Sequence, residues 1–316
     1  MQDGEILPER SYTRRGATLA GSPLTGLVDS RAALARFTEG ATIVFQGVHR
    51  YHRPLAHVVG ELEVELGHPC QANAYLTPAG SQGFATHQDS HDVFVVQTVG
   101  TKTWHVGEPP EVVHLTPGLS MYLPTGTPHS ARTEDAVSLH VTIGINQLTW
   151  RTLLRQALES ALDAVPDEHL PAGYIDDAAE LREQLAGQLE SLAEHVRLLD
   201  AEAIIAEQVR RFLTSRPTRQ ANGLRNSLAT IGDDTALCRI PGRPCVLQAD
   251  ASPGRIHVLL GDRRLDVPAW LGAALERIRS SPDLRPADLA ELLDLESRLV
   301  LCRRLVREGL LTLADE

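Results

Sequence analysis

The stretch HQDSHDVFVV, residues 87–96, sets two imidazoles and two carboxylates at the mouth of an apolar run. Ionisable groups beside a buried strand cost free energy unless something pairs with them. In an extended chain residues i and i+2 share a face, so His87 and Asp89 can converge on one point while Gln88 turns away. A third ligand is available from the turn PTGTPHSA, which delivers His129 after the apolar run MYL. Two imidazole nitrogens and one carboxylate oxygen, with three coordination positions left open, suit Fe(II) and admit O₂ together with a second small molecule. The competing reading is a polar cluster satisfied by its own hydrogen bonds, since His-x-Asp arises easily by chance in a chain with 13 histidines.

Other residues sharpen the choice. Lys102, in VGTKTWHV, is a cation in what reads as a strand interior, where it needs an anion unless it reaches solvent. Asn73 and Tyr75 are alternate residues of NAYLTP and put an amide and a phenol on one face. Ser138, His140 and Thr142 alternate in SLHVTIGIN and line a pocket or simply mark a wet face. His91, His105 and His114 read as structural, or as partners that orient a metal-bound imidazole.

Such residues need a scaffold that brings distant strands together. From Cys70 to Gln147 the chain runs in short β-rich segments (QANAYLTP, HDVFVVQTVG, KTWHVGEPP, VVHLTPG, SMYLPTG, VSLHVTIGIN) separated by Gly, Pro and Thr turns. Strands at this spacing predict a sandwich or small barrel. A helix, the strand ATIVF, a turn and the amphipathic helix LAHVVGELEVEL lead into it. Residues 148–213 read as helical, with an apolar stripe through Leu181, Leu185, Leu189, Leu192, Val196 and Leu199. After a polar linker, residues 214–227, come the strands TALCRI and RIHVLL and three short helical patterns, a winged-helix-like order.

At 316 residues with 42% hydrophobic and 22% charged side chains, the chain is long enough for two domains or for one with helical modules. The first 30 residues carry no signal-like apolar core and no apolar run reaches membrane-spanning length, so a cytoplasmic location is expected. Four scattered cysteines predict reduced thiols rather than a disulfide framework. A formal charge of -11 disfavours nucleic acid and anionic lipid and favours a basic partner. Arg298, Arg303, Arg304 and Arg307 would suit DNA, but residues 263–316 hold nine basic against ten acidic side chains, so a protein-interaction or packing role is expected.

NAYLTPAGSQGFATHQDSHDVFVVQTVGTKTW, followed by PGLSMYLPTGTPHSA and SLHVTIGIN, resembles the ribosomal oxygenase branch of the JmjC proteins, cupin-type 2-oxoglutarate dioxygenases. The resemblance implies an α+β chain: a double-stranded β-helix catalytic core over residues 1–147, a helical dimerisation module over 148–213, and a winged-helix-like domain over 228–316. It implies His87, Asp89 and His129 as Fe(II) ligands and Lys102 as the partner of the far carboxylate of 2-oxoglutarate. Asn73 and Tyr75 fall at the cosubstrate by the same comparison, and strand alternation adds His140. The implied reaction oxidises 2-oxoglutarate to succinate and CO₂ and uses O₂ to hydroxylate a C–H on a protein or peptide, a ribosomal protein first, in a homodimer. Many relatives carry an aromatic residue where this chain has His91, which points to a substrate-side contact that changes charge near neutral pH. Two other classes fit the residues alone: a cupin-fold regulatory protein whose winged helix contacts nucleic acid, and a zinc or manganese cupin isomerase. Hydroxylation of a natural-product peptide or small molecule is the alternative within the dioxygenase class.

Overall fold

The computed structural model describes residues 1–316 apart from 3–4, 15, 17, 20–21, 24–25, 218–222, 250–253 and 315–316. The chain divides into two compact units, Met1–Gln147 and Leu148–Glu316.

In the first unit, helix α1 (Ser30–Thr38) starts where the Asp29 carboxylate accepts from the N–H groups of Arg31 and Ala32. Strand β1 (Ile43–Phe45) and helix α2 (Arg53–Leu66) follow. Seven further strands come next: β2 (Cys70–Thr77), β3 (Asp92–Val99), β4 (Lys102–Val106), β5 (Glu111–Leu115), β6 (Ser120–Leu123), β7 (His129–Arg132) and β8 (Ser138–Ile145). They form a five-stranded antiparallel sheet in the order β6-β3-β8-β2-β1 and a three-stranded one in the order β7-β4-β5. Two antiparallel sheets with this interleaving are a double-stranded β-helix, as the resemblance implies and within the sandwich or small-barrel class that the strand spacing predicts.

Period-2 alternation divides the work of the larger sheet. Ala72, Ala74, Val141, Ile143 and Ile145 pack with Val59, Leu55 and Leu62 of α2. The alternate residues Gln71, Asn73 and Tyr75 of β2, with His140 and Thr142 of β8, line the space between the sheets. Register fixes neighbours there: His140 lies opposite Tyr75, and Thr142 opposite Asn73. In the same space Val93 and Val95 of β3 and Leu123 of β6 meet Trp104 and Leu115 of the smaller sheet in a second apolar cluster. The turn from β3 to β4 requires Gly100, whose φ is 64° and where a Cβ would stand 2.1 Å from the Val137 carbonyl oxygen.

The second unit contains helices α3 (Trp150–Leu162), α4 (Ala179–Arg197) and α5 (Ala201–Phe212). The expected stripe runs along α4, with Leu199 beyond its last turn, and Leu185 and Leu189 are 54% and 57% exposed. Residues 218–222 of the polar linker lie outside the described residues, and its end turns into a short helix, Gly223–Leu228. Beyond it are strands β9 (Leu237–Arg239), β10 (Val246–Ala249), β11 (Arg255–Leu259), β12 (Arg264–Pro268), β13 (Asp283–Leu284) and β14 (Leu311–Leu313). They make two three-stranded sheets, β13-β9-β14 and β10-β11-β12. Helices α6 (Gly272–Ser280) and α7 (Leu295–Arg307) pack with them around Leu237, Val258, Leu275, Ile278, Leu289, Leu305 and Leu311. The expected helix RPADLAELL is reduced to a 3-10 turn, Pro286–Leu289. Pro286 has no N–H to give, and Asp288 turns back to accept from the Arg285 N–H at 2.7 Å, which closes a turn rather than extending a helix.

Candidate active site

His87 and His129 are joined through their backbones: the His87 N–H donates to the His129 carbonyl at 3.0 Å, and the His129 N–H to the His87 carbonyl at 2.8 Å. This bridge, rather than a regular strand, places His87 and Asp89. The reading of 87–91 as the start of a strand is corrected here, because β3 begins only at Asp92. Asp89 is held by the Gly126 N–H, which donates to its carbonyl at 2.9 Å. One ligand atom from each of His87, Asp89 and His129 lies within 4.8 Å of the others. The His87 Nδ1 faces the Ala85 carbonyl and the His129 Nδ1 faces the Thr127 carbonyl, both at 2.9 Å. A proton on each Nδ1 satisfies those carbonyls and leaves both Nε2 lone pairs free, the tautomer a metal needs; the His129 Nε2 lies 3.6 Å from an Asp89 carboxylate oxygen. Burial pushes the His129 imidazole below its ordinary range, against the charged form.

The turn that carries His129 has an anchor that sequence reasoning missed. The Asp92 carboxylate accepts from the Tyr122 hydroxyl, and from the N–H and hydroxyl of Thr125 at 2.7 Å each. The Tyr122 contact first, then Thr125, holds this carboxyl well below the usual carboxylate range. Asp92→Ala should release residues 124–127 and lower metal affinity about tenfold, as loss of outer-sphere support does. Co(II) titration monitored by its visible bands checks this, and an unchanged affinity would remove Asp92 from the site.

A cavity of about 210 Å³ opens beside the three ligand groups, and Asn73, Tyr75, His91, Lys102, Trp104 and His140 are among its walls. Lys102 is the only lysine in the chain and is 2% exposed. Its ammonium donates to the Thr77 hydroxyl at 3.0 Å and lies 3.4 Å from the His140 Nδ1. Among the described residues no carboxylate pairs with it, and burial brings its pKa down to about 7. His140 is stacked on Tyr75, with ring centroids 4.8 Å apart and planes at 3°. Burial first, then the charge of Lys102, pushes its imidazole well below the ordinary histidine range. Burial raises the Tyr75 phenol, whose hydroxyl is held by Thr142 and Asn73.

The expected site residues are therefore brought together around one space, with two roles refined. The Asn73 carbonyl oxygen accepts from the Gly47 N–H at 2.9 Å and its side chain also holds the Tyr75 hydroxyl, so it fixes the loop before α2 and has at most one amide N–H left for a ligand. His91 lines the cavity with its ring against Gly144, where a Cβ would come within 2.6 Å of the imidazole Nε2. His105 does not join the cavity; it faces a second cleft with Gln82, Gln88, Glu108 and Arg132. His114 pairs with the Thr103 hydroxyl at 3.0 Å on the outward face of β4.

Residues 56–114 match the family model of the JmjC domain. The ribosomal oxygenase 2 of Mus musculus is 30% identical over 187 residues, which cover 49% of this chain and 40% of that protein. The matched part of the chain is similar to the JmjC domain. Ribosomal oxygenase 1 of Homo sapiens is 34% identical over 146 residues, 36% of this chain and 23% of that one. The chain thus matches less than half the length of these curated relatives. Among solved structures, YcfD, a ribosomal oxygenase from Escherichia coli determined with cobalt and succinic acid, is similar at 19% identity with a TM-score of 0.54. The likeness covers 87% of this chain and 78% of that one, and shows that they share a fold. The matched JmjC range contains His87, Asp89 and Lys102 and stops before His129, which the backbone bridge brings back to it.

Proposed function

We propose that this chain is a JmjC-type, Fe(II)- and 2-oxoglutarate-dependent dioxygenase that hydroxylates a side chain of a protein or peptide, a ribosomal protein first. One observation carries the reading: a buried lysine without a carboxylate partner among the described residues lines the same cavity as a cluster of two imidazoles and a carboxylate. The donor set fits iron, because both histidines can offer Nε2 while their Nδ1 atoms hold backbone carbonyls. It fits a dicarboxylate as well, since an unpaired buried ammonium is costly until an anion meets it. Iron and 2-oxoglutarate supply the oxidising power when bound.

The protein's own groups do the rest. His87, Asp89 and His129 hold the metal on one side and leave the other open. Lys102 binds the far carboxylate, His140 and Tyr75 wall that end, and the Asn73 amide orients the acid. Val93, Val95, Leu123 and Trp104 exclude water. His91, on the open wall, stands on the substrate side. The similarity to ribosomal oxygenases supports a ribosomal substrate, and 41 acidic against 30 basic residues favour encounter with a basic segment.

The test is succinate release with Fe(II), ascorbate and 2-oxoglutarate, measured with and without a basic ribosomal peptide. Peptide hydroxylation should slow markedly from low to physiological salt while peptide-free succinate release should not. A salt-independent coupled rate would end the steering argument, and no succinate at all would end the dioxygenase reading.

The helical segment 148–213 is proposed as a homodimerisation module, supported by the exposed leucines of α4. Replacing Leu185 and Leu192 with Glu should give monomers in light scattering; a native protein that is monomeric at micromolar concentration would contradict the proposal. Residues 228–316 are proposed as a winged-helix-like domain that packs or binds protein rather than nucleic acid. No helix among the described residues is long and apolar enough to cross a membrane, and a cytoplasmic location is part of the same proposal.

A further inference from the structure

Trp104 is 4% exposed and lines the cavity, yet its buried indole N–H has no acceptor among the described residues. A buried donor left without an acceptor is costly, and phenylalanine would fill an apolar core without that cost. The placement of the ring is specific. Trp104 follows Lys102 by two positions in β4 and so shares its face. It sits opposite Ala131 of β7, whose single methyl leaves room for the indole. Its centroid is 5.3 Å from that of His140, with the planes at 79°, and 6.1 Å from that of His129. His140 in turn lies 3.4 Å from the Lys102 Nζ. The indole therefore walls the cavity near both the histidine beside the buried cation and one histidine of the ligand cluster, and borders the space that a dicarboxylate bridging the two would occupy.

We propose that the Trp104 indole N–H donates a hydrogen bond to the carboxylate that Lys102 pairs with, which makes Trp104 a cosubstrate-binding residue and the inner end of the cavity a seat of several N–H donors. The inference rests on the 2-oxoglutarate reading above. It explains why an indole rather than a benzene ring fills this place: the N–H is unpaired only while the anion is absent. Deleting the donor then has different effects on the two states. The ligand-free protein loses no hydrogen bond, and the complex loses a charge-assisted one.

The test is calorimetric titration of the Mn(II)-loaded protein with 2-oxoglutarate. Trp104→Phe should weaken binding about tenfold or more, while its Mn(II) affinity stays that of the native protein. A lower Tm with unchanged 2-oxoglutarate affinity is the signature of a packing role and would overturn the inference. A second measurement stands if that variant does not fold. Trp150 and Trp270 are 78% and 63% exposed and are the chain's other tryptophans, so Trp150→Phe with Trp270→Phe leaves Trp104 as the sole indole. Its emission should then change on saturation with 2-oxoglutarate, and constant emission would overturn the inference. Native protein that binds no 2-oxoglutarate would overturn this inference and the dioxygenase reading together. Binding that Lys102→Ala abolishes and Trp104→Phe leaves intact would overturn this inference alone.

Discussion

His87→Ala and Asp89→Ala should each bind Fe(II) or its Co(II) substitute more than about a hundredfold more weakly and release no succinate above background. The size follows from comparison with outer-sphere partners, whose loss alone costs about 10- to 100-fold, so removal of a ligand must exceed that range. With His87, Asp89 and His129 the open face is built from three protein donors, and two cannot hold a metal whose remaining positions are needed for small molecules. Folding should survive both changes. His87 is fixed by backbone hydrogen bonds that alanine keeps, and the Asp89 carbonyl still accepts from Gly126. Circular dichroism with the metal titration separates loss of ligand from loss of fold, and normal metal affinity in either variant would remove the triad.

The second large effect belongs to Lys102. Lys102→Ala leaves the far carboxylate of 2-oxoglutarate unpaired in a closed space, which costs roughly 3 to 5 kcal/mol. Binding of 2-oxoglutarate should fall by more than about a hundredfold, with metal affinity nearly unchanged. The pH dependence follows from the same residue. Burial brings the ammonium from 10.5 to about 7 in the ligand-free protein, whereas a bound carboxylate favours the charged form and raises that value again. Above pH 7 binding therefore takes up a proton, and 2-oxoglutarate affinity should fall by up to about tenfold for each further pH unit. For folding the sign is opposite. The folded-state value lies below the unfolded one, so the cost of the buried ammonium is full below pH 7 and is relieved as the pH rises from about 7 toward 10.5. Because this is the only lysine, a lysine-labelled sample gives one Nζ signal, and its NMR titration reads the midpoint directly. A midpoint near 10.5 without ligand would contradict the buried, unpaired state.

Much of this site is legible in the sequence because its residues obey strand alternation. Asn73 and Tyr75, His140 and Thr142, and Lys102 and Trp104 each fall two apart, and β2, β8 and β4 turn each pair to the same interior. The stripe of α4 is readable for the same kind of reason, being periodic over its whole length. What stays hidden depends on partners far along the chain. Asp92 looks like one more polar residue at a strand end until Tyr122 and Thr125 close on it. His91 gains its place from the missing side chain of Gly144. The convergence of His87 with Asp89 is correctly anticipated on an imperfect ground: the segment is not a regular strand, and the bridge to His129 supplies the geometry. The role of Trp104 cannot be read locally at all, since an indole in an apolar strand looks like core until its N–H is found without an acceptor.

The most direct test of the central claim is isotopic. The Fe(II)-loaded protein, supplied with 2-oxoglutarate, labelled O₂ and a pool of ribosomal proteins, should transfer one labelled oxygen atom to a side chain of a protein in that pool, found by mass spectrometry. Asp89→Ala should transfer none. Succinate formed without any labelled protein, or a label that persists in the Asp89→Ala sample, would contradict the assignment of this chain as a protein hydroxylase working through His87, Asp89 and His129.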